Sequence, residues 1–190
     1  MPVGYAVRGG RLAGDLRDYK SEWADAGTTV AAAGRLRESL AAFLSEHGNE
    51  VWTAAGMSAG PTAMAVVPSG QGRTGAHPLL VIAGSCVQLP LVRLSVVSEE
   101  VHTRGVNPRW VRLGEPVGGA DVLVVDDTWV SGGSAQSVAV ALKLAGARRV
   151  VIVVLGRHVN PADPKSAALL RTISAGEERL SAWPVMSSAG

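Results

Sequence analysis

The sequence predicts an α/β domain: a single body with a central, mainly parallel sheet flanked by helices, and a helical cap over residues 1–50. Three observations carry this. Between residues 63 and 155, strand-like apolar runs alternate with segments of helical period, the pattern of right-handed crossovers between parallel strands. Two of those runs, residues 122–125 and 150–155, are continuously apolar, as strands buried on both faces are. No internal repeat or compositional break divides the 190 residues, a length that suits one ordinary domain with a core of its own.

Taken in order, residues 4–20 mix glycines with apolar residues at helical spacing, Leu12, Leu16 and Tyr19. The spacing predicts a turn at Gly9 and Gly10 and a short helix to about Ser21. Gly27, Thr28 and Thr29 offer a cap for a second helix over residues 30–47, with Leu36, Leu40, Phe43 and Leu44 on one face and a stop at His47-Gly48-Asn49. The core is expected over residues 60–156. Its first strand is residues 63–67, ended by Pro68, followed by the glycine-rich turn 68–75, a helix over 76–88 and a strand over 91–97. Residues 98–120 are long for a connection in a compact domain, as functional lids are, with a β-excursion expected around residues 110–113. A strand over 121–126, a helix from about Ser134 to Gly146, a strand over 150–155, a loop over 156–164 and a helix over 165–173 complete the order. The tail, residues 174–190, is rich in Gly, Ser and Ala and is expected to fray.

Composition excludes several classes. Hydrophobic residues make up 47% but aromatics only 4%, so the core is aliphatic. The net charge is +2 and the pI about 9.0, without a run of five Lys or Arg. That is no nucleic-acid signature, although it suits a phosphorylated small substrate. Cys86 is the only cysteine and lies in an apolar run, so neither an intrachain disulfide nor a cysteine zinc site is available, and Cys86 reads as a small buried hydrophobe. The N-terminus lacks the apolar region of a secretory signal, and no apolar run approaches the roughly 18 residues of a membrane span. A cytoplasmic protein without membrane partner is expected.

The chemistry concentrates at residues 121–134, D-V-L-V-V-D-D-T-W-V-S-G-G-S. A buried strand runs into two carboxylates, Asp126 and Asp127, and a small-residue turn then leads into a helix. Such a turn aims backbone N–H groups at an anion, which the helix dipole favours. The layout suits a ligand with a phosphate and a hydroxylated or metal-bound part. An ordinary helix cap at Asp127 or Ser131 explains neither the second acid nor the double glycine.

This stretch resembles the phosphoribosyl pyrophosphate (PRPP) signature of type I phosphoribosyltransferases: four apolar residues, two acids, a short variable stretch and a small-residue loop. The N-terminal G-Y-A-V-R-G-G-R-L-A-G-D-L-R-D-Y-K is similar to the ComF-like branch, whose zinc cysteines this chain lacks. The resemblance implies that Asp126 and Asp127 receive the ribose hydroxyls directly or through Mg²⁺. It implies that Val130, Ser131, Gly132, Gly133 and Ser134 hold the 5-phosphate. It makes Ser69, Gly70, Gln71, Gly72 and Arg73 the pyrophosphate loop and residues 98–120 the catalytic lid, with Arg104 and Arg109 closing on pyrophosphate. His158, after the strand 150–155, and Trp129 are candidates to face the acceptor, although Trp129 also reads as a packing residue. A homodimer is the family's habit. Val130 stands where the 6-oxopurine enzymes carry an aspartate near the base, which argues against that acceptor.

The implied function is transfer of phosphoribosyl from PRPP to an unidentified nitrogenous acceptor. The alternative is a regulator of the same fold that binds PRPP or a nucleotide without turnover. A dinucleotide-binding enzyme is disfavoured, because no G-x-G-x-x-G follows the first strand.

Overall fold

The computed structural model describes residues 1–69, 77–97 and 105–176. Its centre is a four-stranded, all-parallel sheet in the order β1-β6-β5-β2, formed by β1 (Pro2–Val7), β2 (Ala63–Val66), β5 (Asp121–Trp129) and β6 (Arg149–Val159). A separate antiparallel ribbon joins β3 (Leu94–Val96) to β4 (Val111–Leu113). The helices are α1 (Arg11–Asp18), α2 (Ala26–Ala54), α3 (Pro78–Cys86), α4 (Gly133–Leu144) and α5 (Ala167–Gly176). The expected α/β architecture is thus present.

Side-chain alternation along β5 explains the two cores. Val122, Leu123, Val124 and Val125 are all fully buried, because successive residues of a strand point to opposite faces and both faces are covered. Leu123 and Val125 join Leu36, Leu40 and Phe43 of α2 and Leu79 and Ile82 of α3. Val122 and Val124 join Val138 and Leu142 of α4, with Trp110 and Val111.

Four expectations change. The N-terminal segment is helical from Arg11, but it opens with a strand, β1, which among the described residues pairs only with β6. Helix α2 begins four residues before the expected start, at Ala26, where Asp25 Oδ1 accepts the Thr28 N–H at 2.9 Å. It also runs through His47-Gly48-Asn49, because Gly48 and Val51 are buried beneath its last turns and packing outweighs the local stop signal. The segment 91–97 is not one strand: Leu91 bridges Met64 of β2, and the chain then leaves the sheet to form β3. Finally β5 and β6 continue to Trp129 and Val159, so both carry backbone expected to be loop.

Arg148, just before β6, has a structural partner. Its Nε donates to Asp121 Oδ1 at 2.9 Å and its Nη2 to Oδ2. Asp121 starts β5 and is 1% exposed, and an ion left unpaired at such a site is costly. The Arg148 hydrogen bonds and charge hold the Asp121 carboxyl below its usual range despite burial. A depressed carboxylate pKa stabilises the fold above the unfolded value near 4 and loses that contribution as pH falls through the folded value. Arg148→Ala is therefore expected to lower the melting temperature at pH 7, with the gap to the parent closing as the pH is taken below about 4. A gap that stays constant over that range in thermal melts would count against the pairing.

Among the described residues no helix is long and apolar enough to cross a membrane. Cys86 is half-buried on the α2–α3 core rather than fully enclosed. Its Sγ lies 3.5 Å from the Arg37 carbonyl oxygen, and burial raises its thiol pKa.

Candidate active site

All four strands of the sheet are parallel, so their carboxyl ends share one edge, where ligands of open α/β sheets bind. Asp126 and Asp127 lie near that end of β5, inside the strand rather than after it. Alternation then sends the two carboxylates to opposite faces. Asp127 follows Leu123 and Val125 toward the α1–α2 side, and Asp126 follows Val122 and Val124 toward α4.

Asp127 is buried, and two groups from the end of α1 reach it. Tyr19 Oη donates to Asp127 Oδ2 at 2.6 Å, and the Lys20 ammonium makes an ion pair with the same oxygen. Burial pushes the Asp127 carboxyl up, but the Lys20 charge and the hydrogen bonds from Lys20 and Tyr19 outweigh it and leave the pKa below its ordinary value. Among the described residues no cation forms an ion pair with Asp126, although the Lys20 charge also acts on it. Its Oδ1 accepts the Asp127 N–H at 2.8 Å. Burial first, and the neighbouring Asp127 charge second, raise its pKa to about 7. The two adjacent acids therefore differ: one is firmly ionised and the other exchanges its proton near neutrality.

The turn after β5 is built on Gly132, which has φ +79° and N-caps α4. Only glycine takes this left-handed conformation without penalty. The Trp129 indole lies against it, so close that a Cβ on Gly132 would sit 2.2 Å from Trp129 Cζ2. This favours the packing role for Trp129 over a pocket wall. The N-cap Gly132 has no side chain to cap α4; Ser131 Oγ accepts the Gly133 N–H at a long 3.4 Å, and the first turn, with exposed Ser131 and Ser134 beside it, is accessible to an anion. Val130 is exposed at the tip.

The remaining candidates divide. Ser69 is half-buried just beyond β2, at the same edge of the sheet. Gly70, Gln71, Gly72, Arg73 and Arg104 lie outside the described residues. Arg109 is exposed on a 3-10 turn, Pro108–Trp110. That turn is anchored: the Asn107 N–H donates to Ser137 Oγ of α4 at 2.8 Å, and Trp110 is 2% exposed. Residues 105–120 carry the β-excursion expected around 110–113, and residues 98–104 of the expected lid lie outside the described residues. His158 sits on β6 opposite Ala6 of β1 and lines a cavity of about 450 Å³ together with Lys20 and Thr128.

The sequence pattern alone gives Lys20 no role, although the stretch resembling the ComF-like branch ends in Tyr19-Lys20. That ending was the available signal. Local pattern does not report that α1 delivers these side chains to an acid 107 residues away.

The described residues contain no group of three or more His, Cys, Asp or Glu arranged to hold a metal ion. Two carboxylates, one already paired with Lys20, make a poor all-protein cage. Because the pair points to opposite faces of β5, the residues suit at most an ion held by one carboxylate together with substrate oxygens, as Mg²⁺ commonly is.

No family model matches the chain, and no curated protein sequence matches it. Several solved structures are similar. Hypoxanthine phosphoribosyltransferase from Staphylococcus aureus shares 15% identity, with a TM-score of 0.43 over 67% of this chain and 76% of that one. Purine phosphoribosyltransferase from Pyrococcus horikoshii shares 17%, with a TM-score of 0.39 over 68% and 88%. Adenine phosphoribosyltransferase from Leishmania tarentolae shares 18%, with a TM-score of 0.44 over 82% and 70%.

Proposed function

We propose that the protein is a Mg²⁺-dependent phosphoribosyltransferase that moves 5-phosphoribosyl from PRPP to a small nitrogenous acceptor and releases pyrophosphate. One observation carries this reading: two adjacent acids of unlike protonation stand one short turn ahead of an accessible helix N-terminus, at the carboxyl edge of a parallel sheet. A ribose 5-phosphate spans such a pair of sites, with its hydroxyls on Asp126 and Asp127 and its phosphate on the first turn of α4.

The residues then act as follows. Amides of the Ser131–Ser134 turn and the two hydroxyls bind the 5-phosphate, with the dipole of α4 behind them. Tyr19 and Lys20 fix the Asp127 carboxylate in place and keep it ionised. Asp126, once deprotonated, accepts a ribose hydroxyl or an ion bound to it. The C1–O bond to pyrophosphate breaks with its electron pair leaving on pyrophosphate, and the acceptor nitrogen's lone pair forms the new C1–N bond, its proton passing to solvent. Positive charge develops on the ribose, near two carboxylates arranged in advance, and such preorganised charge is a main source of acceleration. A bound Mg²⁺ would supply positive charge to the departing pyrophosphate.

Incubation with PRPP, Mg²⁺ and a panel of bases and amines is expected to release pyrophosphate with at least one acceptor. Saturable PRPP binding without release across a broad panel would replace the enzyme by a non-catalytic regulator of the same fold. Absence of PRPP binding by calorimetry would overturn both.

A further inference from the structure

The cavity at the carboxyl ends of β1 and β6 adjoins the acid pair, since Lys20 and Thr128 line it while Lys20 also holds Asp127. Its floor is apolar, with Ala6 and Leu16, and its charged lining is all basic: Arg8, Arg17 and Lys20, beside His158, without a carboxylate. Arg17 is paired with Asp18 and Lys20 with Asp127, whereas Arg8 has no ion-pair partner among the described residues. The apolar part of the lining suits a flat ring, and an anionic group on that ring gains a charge-assisted partner in Arg8.

One wall is bare for no packing reason. Gly14 lines the cavity from inside α1, where glycine weakens a helix relative to alanine. Close approach often explains a buried glycine: at Gly156, an added Cβ would strike Leu16 Cδ1 at 2.5 Å. At Gly14 an added Cβ would meet no atom within 4 Å. The space it leaves belongs to the cavity.

We infer that this cavity seats the acceptor, and that the acceptor is a small aromatic nitrogen compound bearing an anionic group such as a carboxylate. The assignment as acceptor rests on the phosphoribosyl-transfer reading; the preference for an anion rests on the cavity alone.

The test uses the full chain with two probes that differ in charge, pyridine-3-carboxylate and pyridine-3-carboxamide, at fixed ionic strength. Their binding is followed by ligand-observed NMR titration, and PRPP–Mg²⁺ binding is measured in parallel by calorimetry. The carboxylate is expected to bind at least tenfold more tightly than the amide. Arg8→Ala is expected to reduce that preference at least threefold. Gly14→Leu, which improves helix propensity while filling the space, is expected to abolish carboxylate binding and leave PRPP–Mg²⁺ affinity within twofold. Equal affinity for the two probes, binding of neither, or full carboxylate binding by Gly14→Leu overturns the inference. If PRPP binds and the carboxylate does not, only this inference falls. If the carboxylate binds and PRPP does not, the transfer reading falls and the acceptor assignment with it.

Discussion

Asp126→Asn is expected to make the free protein more stable at pH 8 and to abolish its affinity for PRPP–Mg²⁺. The stability arm follows from linkage. The folded-state pKa of Asp126 is raised to about 7, against about 4 for an unfolded aspartate. Below pH 4 the carboxyl is protonated in both states and contributes no difference. Between about 4 and 7 the unfolded state ionises while the folded state resists, so the group destabilises the fold increasingly as pH rises, and the penalty is complete above 7. That interval corresponds to at most roughly 4 kcal/mol, or about 10 °C in melting temperature for a chain of this size. Asparagine removes the charge and still offers an oxygen to the Asp127 N–H. The variant's advantage is expected to be greatest at pH 8 and to vanish near pH 4. The binding arm follows from the same carboxylate: a ribose hydroxyl or its bound ion loses its anion, and affinity by calorimetry is expected to fall at least a hundredfold.

The neighbouring position reverses one sign. Asp127→Asn breaks the Lys20 ion pair and weakens the Tyr19 hydrogen bond, so it is expected to cost about 1–3 kcal/mol of stability while also removing PRPP binding. Structural carboxylates are worth keeping for the fold; a carboxylate kept at the fold's expense belongs to function. An Asp126→Asn variant that melts at the parent temperature across pH 4–8, or that binds PRPP–Mg²⁺ normally, would sink the assignment of Asp126.

What could be read from sequence here tracks how local the determining physics is. The β5–turn–α4 unit was legible because its information is contiguous: an apolar run buried on both faces, then acids, then glycines. Its strand boundary was not, because pairing of Thr128 with Gly156 and Trp129 with Arg157 extends the ladder past the acids. Strand β1 was missed because Gly4 and Ala6 leave it little β-branched character. Its place is earned by contacts with β6 and α1, where a Cβ at Gly4 would sit 2.9 Å from Leu12 Cδ2. The α2 stop was overread for a related reason, since Gly48 looks like a terminator until Trp52 is seen packed over it. The Lys20–Asp127 pair joins segments more than a hundred residues apart, and no local pattern encodes such a contact.

Gly132→Ala is expected to be the most damaging single methyl group in the turn from Ser131 to Ser134. Two costs add. At φ +79° an alanine incurs about 1–2 kcal/mol of backbone strain. Its Cβ would also lie 2.2 Å from Trp129 Cζ2 and 2.5 Å from Cε2, closer than any real contact, so the indole or the turn must move. Trp129 packs against the α4-side core, which resists its displacement, and overpacking of this kind costs about 1–3 kcal/mol. Either movement shifts the first amides of α4, whose arrangement is what an anion reads. A loss of roughly 3 kcal/mol in denaturant unfolding and at least a hundredfold in PRPP affinity are therefore expected together. The two costs separate in a double-mutant cycle. Trp129→Ala in the Gly132→Ala background removes the collision but leaves the φ strain, so the double variant should be more stable than the sum of the single losses, with a coupling of about 1 kcal/mol or more. Strict additivity would mean that the indole yields freely and that only backbone strain protects the turn. An unchanged affinity in Gly132→Ala would mean that this turn does not hold the phosphate at all.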